Sequence, residues 1–124
     1  MTRAAAFRYA VYLYGFGLAC AFFYAGAGVF GVHGPVADAS TLDAHRASGS
    51  IVQLLALILL ITALITKPAG RATALSAVVF VVSGLQSLWA GLGVDHRYLG
   101  GLHTLGALVL AVLVAILMRA PREA

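Results

Sequence analysis

Charge is what this sequence most lacks. Of its 124 residues, 10% are Asp, Glu, Lys or Arg, and only four are acidic. An average soluble domain carries about a quarter charged residues, so the chain cannot cover a water-facing surface with ionisable side chains. The single cysteine, Cys20, excludes an internal disulfide framework and reads as a small packing residue within an apolar run. Asparagine and glutamine are nearly absent. No phosphate loop, serine-nucleophile motif or pair of carboxylates placed for acid–base work is present. No stretch alternates with the period of a membrane strand, which excludes a barrel.

What the chain has instead is apolar length. It is 62% hydrophobic with a mean hydropathy of +1.00. Four apolar stretches run from about Tyr9 to Val32, Ala44 to Thr66, Ala72 to Gly93 and Tyr98 to Met118. Each is long enough to cross a hydrocarbon core about 30 Å thick as a helix. Short connections make consecutive helices antiparallel neighbours. The expected fold is all-α: a single-domain, up-down-up-down four-helix transmembrane bundle over residues 1–124.

The joints carry local signals. Gly34-Pro35 ends the first span, since proline lacks a donor and restricts the residue before it. Ser40-Thr41-Leu42-Asp43 predicts a capping box for the second helix, and Asp95 a cap for the fourth. Lys67-Pro68-Ala69-Gly70-Arg71 predicts a tight turn. Arg3 and Arg8 ahead of an apolar run, with Gly17-Leu18-Ala19-Cys20 inside it, resemble a cleavable leader. That run is long for a signal sequence, so the first span is expected to be a retained helix.

Position explains the net charge of +4. Arg3, Arg8, Lys67, Arg71, Arg119 and Arg122 fall on the side of both termini and the middle loop, whereas Arg46 and Arg97 fall on the other. Cytoplasmic loops are enriched in Lys and Arg, which predicts both termini in the cytoplasm. The basic residues therefore report topology, not a nucleic-acid surface. Asp38, Asp43 and Asp95 lie on the outer side. Tyr9, Tyr12 and Tyr14 are expected in an inner interfacial belt, with Tyr24 and Trp89 in an outer one.

The chain also repeats itself. Tyr24-Ala25-Gly26-Ala27-Gly28-Val29 matches Trp89-Ala90-Gly91-Leu92-Gly93-Val94, and a histidine-bearing helix follows each. This predicts two helical hairpins related by a pseudo-twofold axis along the membrane normal. Chance is the competing explanation, because small residues and aromatics are common in membrane helices.

All four histidines, His33, His45, His96 and His103, lie on the outer half. His33 and His96 read as interfacial residues facing water or headgroups. His45 and His103 sit inside spans, about one and two turns in, and ionisable residues within a span usually face the bundle interior. Opposed across a pseudo-twofold, they supply both axial ligands of one b-type haem. Gly49, Gly100 and Gly106 share the histidine faces and leave room for a macrocycle edge, with Gly26, Gly28, Gly91 and Gly93 thinning the other helices. Arg46 and Arg97 are the basic residues nearest for propionates. Gln53 and Gln86 are candidates to orient a ligand or hold a quinone headgroup. There is no Cys-x-x-Cys-His for covalent haem attachment.

Alternatives stay open beside haem. His45, His96 and His103, with Asp43 or Asp95, have the donor types for zinc or copper. A cofactor-free accessory or scaffold subunit of a larger respiratory complex, docking through glycine-rich faces, also fits, as does a homo-oligomer. Four spans without a polar path at mid-membrane argue against a transporter.

With Asp43-Ala44-His45-Arg46-Ala47-Ser48-Gly49, Leu102-His103-Thr104-Leu105-Gly106 and Ala25-Gly26-Ala27-Gly28-Val29-Phe30-Gly31, nearly the whole chain resembles a family of small four-span bacterial membrane proteins of unknown function. That resemblance implies a bacterial cytoplasmic membrane. The bundle is also similar in architecture to the four-helix core of b-type cytochromes and haem A synthases, where histidines of the second and fourth helices hold haem. That likeness implies electron transfer or haem-linked redox chemistry, with a quinone or a larger respiratory complex as partner. Fold analogy alone does not establish function.

Overall fold

The computed structural model describes residues 2–30, 39–68 and 70–119. Four α-helices carry the chain: α1 Arg3–Phe30, α2 Asp43–Thr66, α3 Ala72–Asp95 and α4 Arg97–Met118. A single 3₁₀ turn, Ala39–Leu42, precedes α2. All four helices are long and apolar enough to cross a membrane. Large apolar side chains such as Tyr9, Phe16, Phe23, Leu64 and Val112 remain exposed on the outside of the bundle. Their setting suits lipid, because helices satisfy their own backbone groups.

Helix ends differ from the sequence expectations in instructive ways. α1 starts a turn and a half earlier than the apolar run, at Arg3. The Thr2 Oγ1 accepts the Ala5 N–H at 3.2 Å, and three alanines follow in the first turn. The cap position of α2 is not the one expected. Leu42 takes the cap position, no side chain bonds there, and the Ser40-Thr41 segment winds into the 3₁₀ turn instead. Asp95 ends α3 and does not cap α4. His96 stands at that junction, also without a side-chain cap. The turn after α2 forms as expected, with Lys67 left-handed at φ 48° and bonded to the Ala63 carbonyl, and Gly70 at φ 65°. Gly34, Pro35, His33 and Asp38 lie outside the described residues.

Each helix packs on its neighbours in order and α1 closes on α4, while α1 and α3, and α2 and α4, face each other diagonally. The buried seam of α1 is Phe7, Val11, Tyr14, Leu18 and Ala21; that of α3 is Ala72, Ser76, Val79 and Ser83. Alternating steps of four and three place these residues on one stripe, as in left-handed bundles. Shifting α1 by sixty-five positions lays its seam on that of α3, Phe7 on Ala72 through Leu18 on Ser83. Shifting α2 by fifty-eight lays Val52 and Leu59 on Leu110 and Leu117, which are likewise buried.

The same shifts reproduce backbone contacts. A Cβ on Gly28 would meet the Thr41 carbonyl and Leu42, and one on Gly93 would meet Gly100, the equivalent of Leu42. Glycine is required at both places because the chain passes closer than a side chain permits. The two hairpins thus share one plan from seam to crossover.

Candidate functional site: a histidine pair across the bundle

His45 and His103 come together across the α2–α4 diagonal. Their ring centres are 5.9 Å apart and their planes stand at 90°. The unequal depth read from the sequence disappears once the 3₁₀ turn is counted. His45 is the seventh residue from Ala39, and His103 the seventh from Arg97. The turn ahead of α2 is the counterpart of the first turn of α4, wound more tightly.

Each imidazole is held from the neighbouring helix. His45 Nδ1 lies 3.0 Å from the Ala21 carbonyl oxygen on α1, and His103 Nδ1 lies 3.0 Å from that of Gln86 on α3. Ala21 and Gln86 are equivalent residues under the sixty-five-position shift. A carbonyl only accepts, so Nδ1 donates in both rings. In the neutral ring this leaves Nε2 with its lone pair, the arrangement found for histidines that ligate a metal. The carbonyls have a second lone pair for this bond, so the helices lose nothing by accepting it.

Side chains around the pair are less symmetric. The Cβ position of Gly106 is taken by the Gln86 amide and the Trp89 ring, so this glycine does not leave an empty slot. Its equivalent is Ser48, whose hydroxyl donates to the His45 carbonyl at 2.8 Å. Gly49 is exposed, and nothing lies within 4 Å of the Cβ positions of Gly49, Gly26 and Gly91. Gly100 packs on Gly93 instead of facing the rings. Trp89 is thus half-buried against α4, while Tyr24 is exposed.

Arg46 pairs with Asp43 at 3.0 Å on the outside of α2, where both are exposed. Charge pairs of this kind are worth little in stability. His96 is exposed. Among the described residues, no group of three or more His, Cys, Asp and Glu side chains is placed to hold a metal ion. The set of His96 with His45, His103 and an aspartate is therefore not assembled. Cys20 is a free, half-buried thiol.

Of the polar groups deeper in the bundle, the sequence pointed to Gln53 and Gln86 but not to Tyr14, Ser76 or Ser83. Tyr14 is fully buried, not interfacial, and its hydroxyl lies 2.8 Å from Ser83 Oγ across the α1–α3 diagonal. The four-and-three stepping of Phe7, Val11 and Leu18 would have placed it there, whereas Tyr9 and Tyr12 point out. Ser76 is buried and bonded to the Ala72 carbonyl at 2.9 Å. The side-chain oxygen of Gln53 and both amide atoms of Gln86 are buried with no hydrogen-bond partner. Ser76, Ser83 and Gln86 thus form a row of polar side chains on the inner face of α3.

A family described only as a family of unknown function, DUF6220, matches residues 21–93. The match takes in His45, Gln53 and Gln86 and stops short of His103. No curated protein and no solved structure matches the chain.

Proposed function

The chain belongs to this family of unknown function, DUF6220, and within it we propose that the protein is a small b-type haem protein of the membrane. His45 and His103 would hold the haem iron. The observation that carries this reading is the pair itself: two imidazoles 5.9 Å apart, each with Nδ1 given to a carbonyl of the adjacent helix. Haem iron bound there would supply one-electron chemistry, with the potential tuned by the histidines' own hydrogen bonds.

The chain's residues do the holding. Ala21 and Gln86 fix the tautomers through their carbonyls, and the seam below keeps the rings at one depth. The Gln86 amide and the Trp89 ring must turn aside for a macrocycle to sit against Gly106. Arg46 and Arg97, at the same end of the bundle, are the cations nearest in sequence for propionates. The charge distribution supports both termini in the cytoplasm, which puts the pair near the outer face, and the family resemblance implies a bacterial membrane. A quinol or a larger respiratory complex would exchange electrons with it.

The protein extracted from haem-supplied membranes is expected to show a Soret band that shifts on reduction. His45→Ala and His103→Ala should each abolish it. Its absence in the parent protein, or its survival in both variants, would falsify the reading. A second reading, a cofactor-free accessory subunit, is favoured by the filling of Gly106 by Gln86 and Trp89. It requires no Soret band, unchanged assembly in the histidine variants, and co-purification with a larger complex. Elemental analysis of the same sample separates zinc or copper from haem.

A further inference from the structure

We propose that the inner face of α3 carries a hydrated hydrogen-bonding track that leads from the histidine pair to the Tyr14 hydroxyl and ends there. The seam of α3 breaks the pattern of its partner. Where α1 has Val11, Leu18 and Ala21, α3 has Ser76, Ser83 and Gln86. Polar side chains in a span are costly, and placing three on the same buried stripe calls for partners.

Two of the three are accounted for. Ser83 bonds Tyr14 across the bundle at 2.8 Å, and Ser76 donates back to its own helix at Ala72. Gln86 is not. Its side-chain nitrogen and oxygen are both buried and both unpartnered, while its backbone carbonyl holds His103. An amide offers a donor and an acceptor together, and water is the smallest molecule that satisfies both. Gln53 presents one more buried, unpartnered oxygen from α2, close to Gly84 on the same helix α3.

Spacing turns these groups into a line. Gln86 and Ser83 are three residues apart, one turn of the same face and a rise of about 4.5 Å. In the proposed track one water bridges the two side chains. From Ser83 the contact to Tyr14 is direct. Beyond Tyr14 the seam is apolar apart from Ser76: Val79, Leu59 and Ala63 are completely buried, as Val11 and Leu117 nearly are. Ser76 faces its own backbone and offers no continuation. Water at the Gln86 amide, beside the histidine pair, can therefore exchange protons with the Tyr14 hydroxyl through Ser83, and the exchange goes no further across the bundle.

The haem-free full-length protein in lipid nanodiscs tests this independently of any cofactor. With glutamine side chains labelled by nitrogen-15, the Gln86 amide should show exchange or cross-relaxation peaks with water. In protein labelled at tyrosine Cζ, the Tyr14 hydroxyl, assigned with Tyr14→Phe, should exchange too fast in mixed light and heavy water to give two lines. Gln86→Leu keeps similar volume against Gly106 and Trp89 and leaves the His103 carbonyl bond in place. It should slow Tyr14 exchange by at least an order of magnitude, resolving the doublet. A dry Gln86 amide, a slow Tyr14 hydroxyl in the parent, or fast exchange that persists in Gln86→Leu would each overturn the proposal. If Gln86→Leu does not fold, the two parent measurements decide alone.

Discussion

The hairpin α1–α2 and the hairpin α3–α4 share a backbone plan and differ in what they put on it. Both bury a seam at the same four-and-three steps, both close through a glycine contact near the crossover, and both tie a histidine to the same carbonyl position. Their side chains then diverge. The first hairpin fills its half with Phe7, Tyr14 and Leu18, where the second has Ala72, Val79 and Ser83. Large against small keeps the volume of each layer filled, which a bundle needs at interior packing density. The divergence also leaves the second hairpin with most of the buried polar atoms. A duplicated scaffold thus places two equivalent ligands, and its unequal side chains make their surroundings inequivalent.

The strongest way to break this comparison is at the crossovers. A methyl on Gly93 would lie 2.6 Å from the Gly100 Cα and 2.9 Å from its nitrogen, both backbone atoms with no side chain to move. Gly93→Ala should cost about 3 kcal/mol, at the upper end of overpacking effects. At Gly28 the clash is with the Thr41 carbonyl oxygen at 2.7 Å and with Leu42 Cδ2, and leucine can turn away. Gly28→Ala should cost about 2 kcal/mol by the same principle. Unfolding by SDS titration in mixed micelles ranks them. Equal tolerance at both glycines would show that the crossovers are not the shared anchor.

The diagonal hydrogen bond comes next. Tyr14→Phe leaves the Ser83 hydroxyl buried without its partner and should cost about 1–2 kcal/mol. Ser83→Ala should cost a similar amount, and the double variant less than the sum, because the two groups form one interaction. Additive losses in the same titration would mean that the two hydroxyls act separately.

Smaller still, and meant to sharpen the equivalence, are the histidines without cofactor. His45→Ala and His103→Ala each remove one bond to a carbonyl that keeps its helical partner. Each should cost about 1 kcal/mol in haem-free protein. A large excess for one would show that its surroundings, not the shared bond, dominate. Gly26→Ala and Gly91→Ala meet open space and should move stability by less than about 0.5 kcal/mol.

Much of the scaffold was legible in the chain. The four helices follow from apolar length, and the repeat follows from Tyr24-Ala25-Gly26-Ala27-Gly28-Val29 set against Trp89-Ala90-Gly91-Leu92-Gly93-Val94. His45 and His103 were singled out because ionisable groups in spans turn inward, and the bundle does bring them together. Other features were misread for a physical reason. Tyr14 stands two residues from exposed Tyr12, so a belt looked natural, yet two residues on a helix turn a side chain to the other side. Gly106 looked like empty space because a missing side chain does not reveal which neighbour moves in. The cap expected at Asp95 failed because the chain continues almost directly from α3 to α4, and the start of α2 moved because a 3₁₀ turn runs straight into it.

Sequence by itself determined the medium, the helices and the duplication, because these depend on composition and on order along the chain. Tertiary structure alone decided which polar atoms meet. Tyr14 and Ser83 are separated by more than half of the chain, and His45 and His103 by the rest of α2 and the whole of α3. Whether such groups touch depends on how each helix is rotated about its own axis. That rotation is set jointly by all four seams and is written in none of them singly.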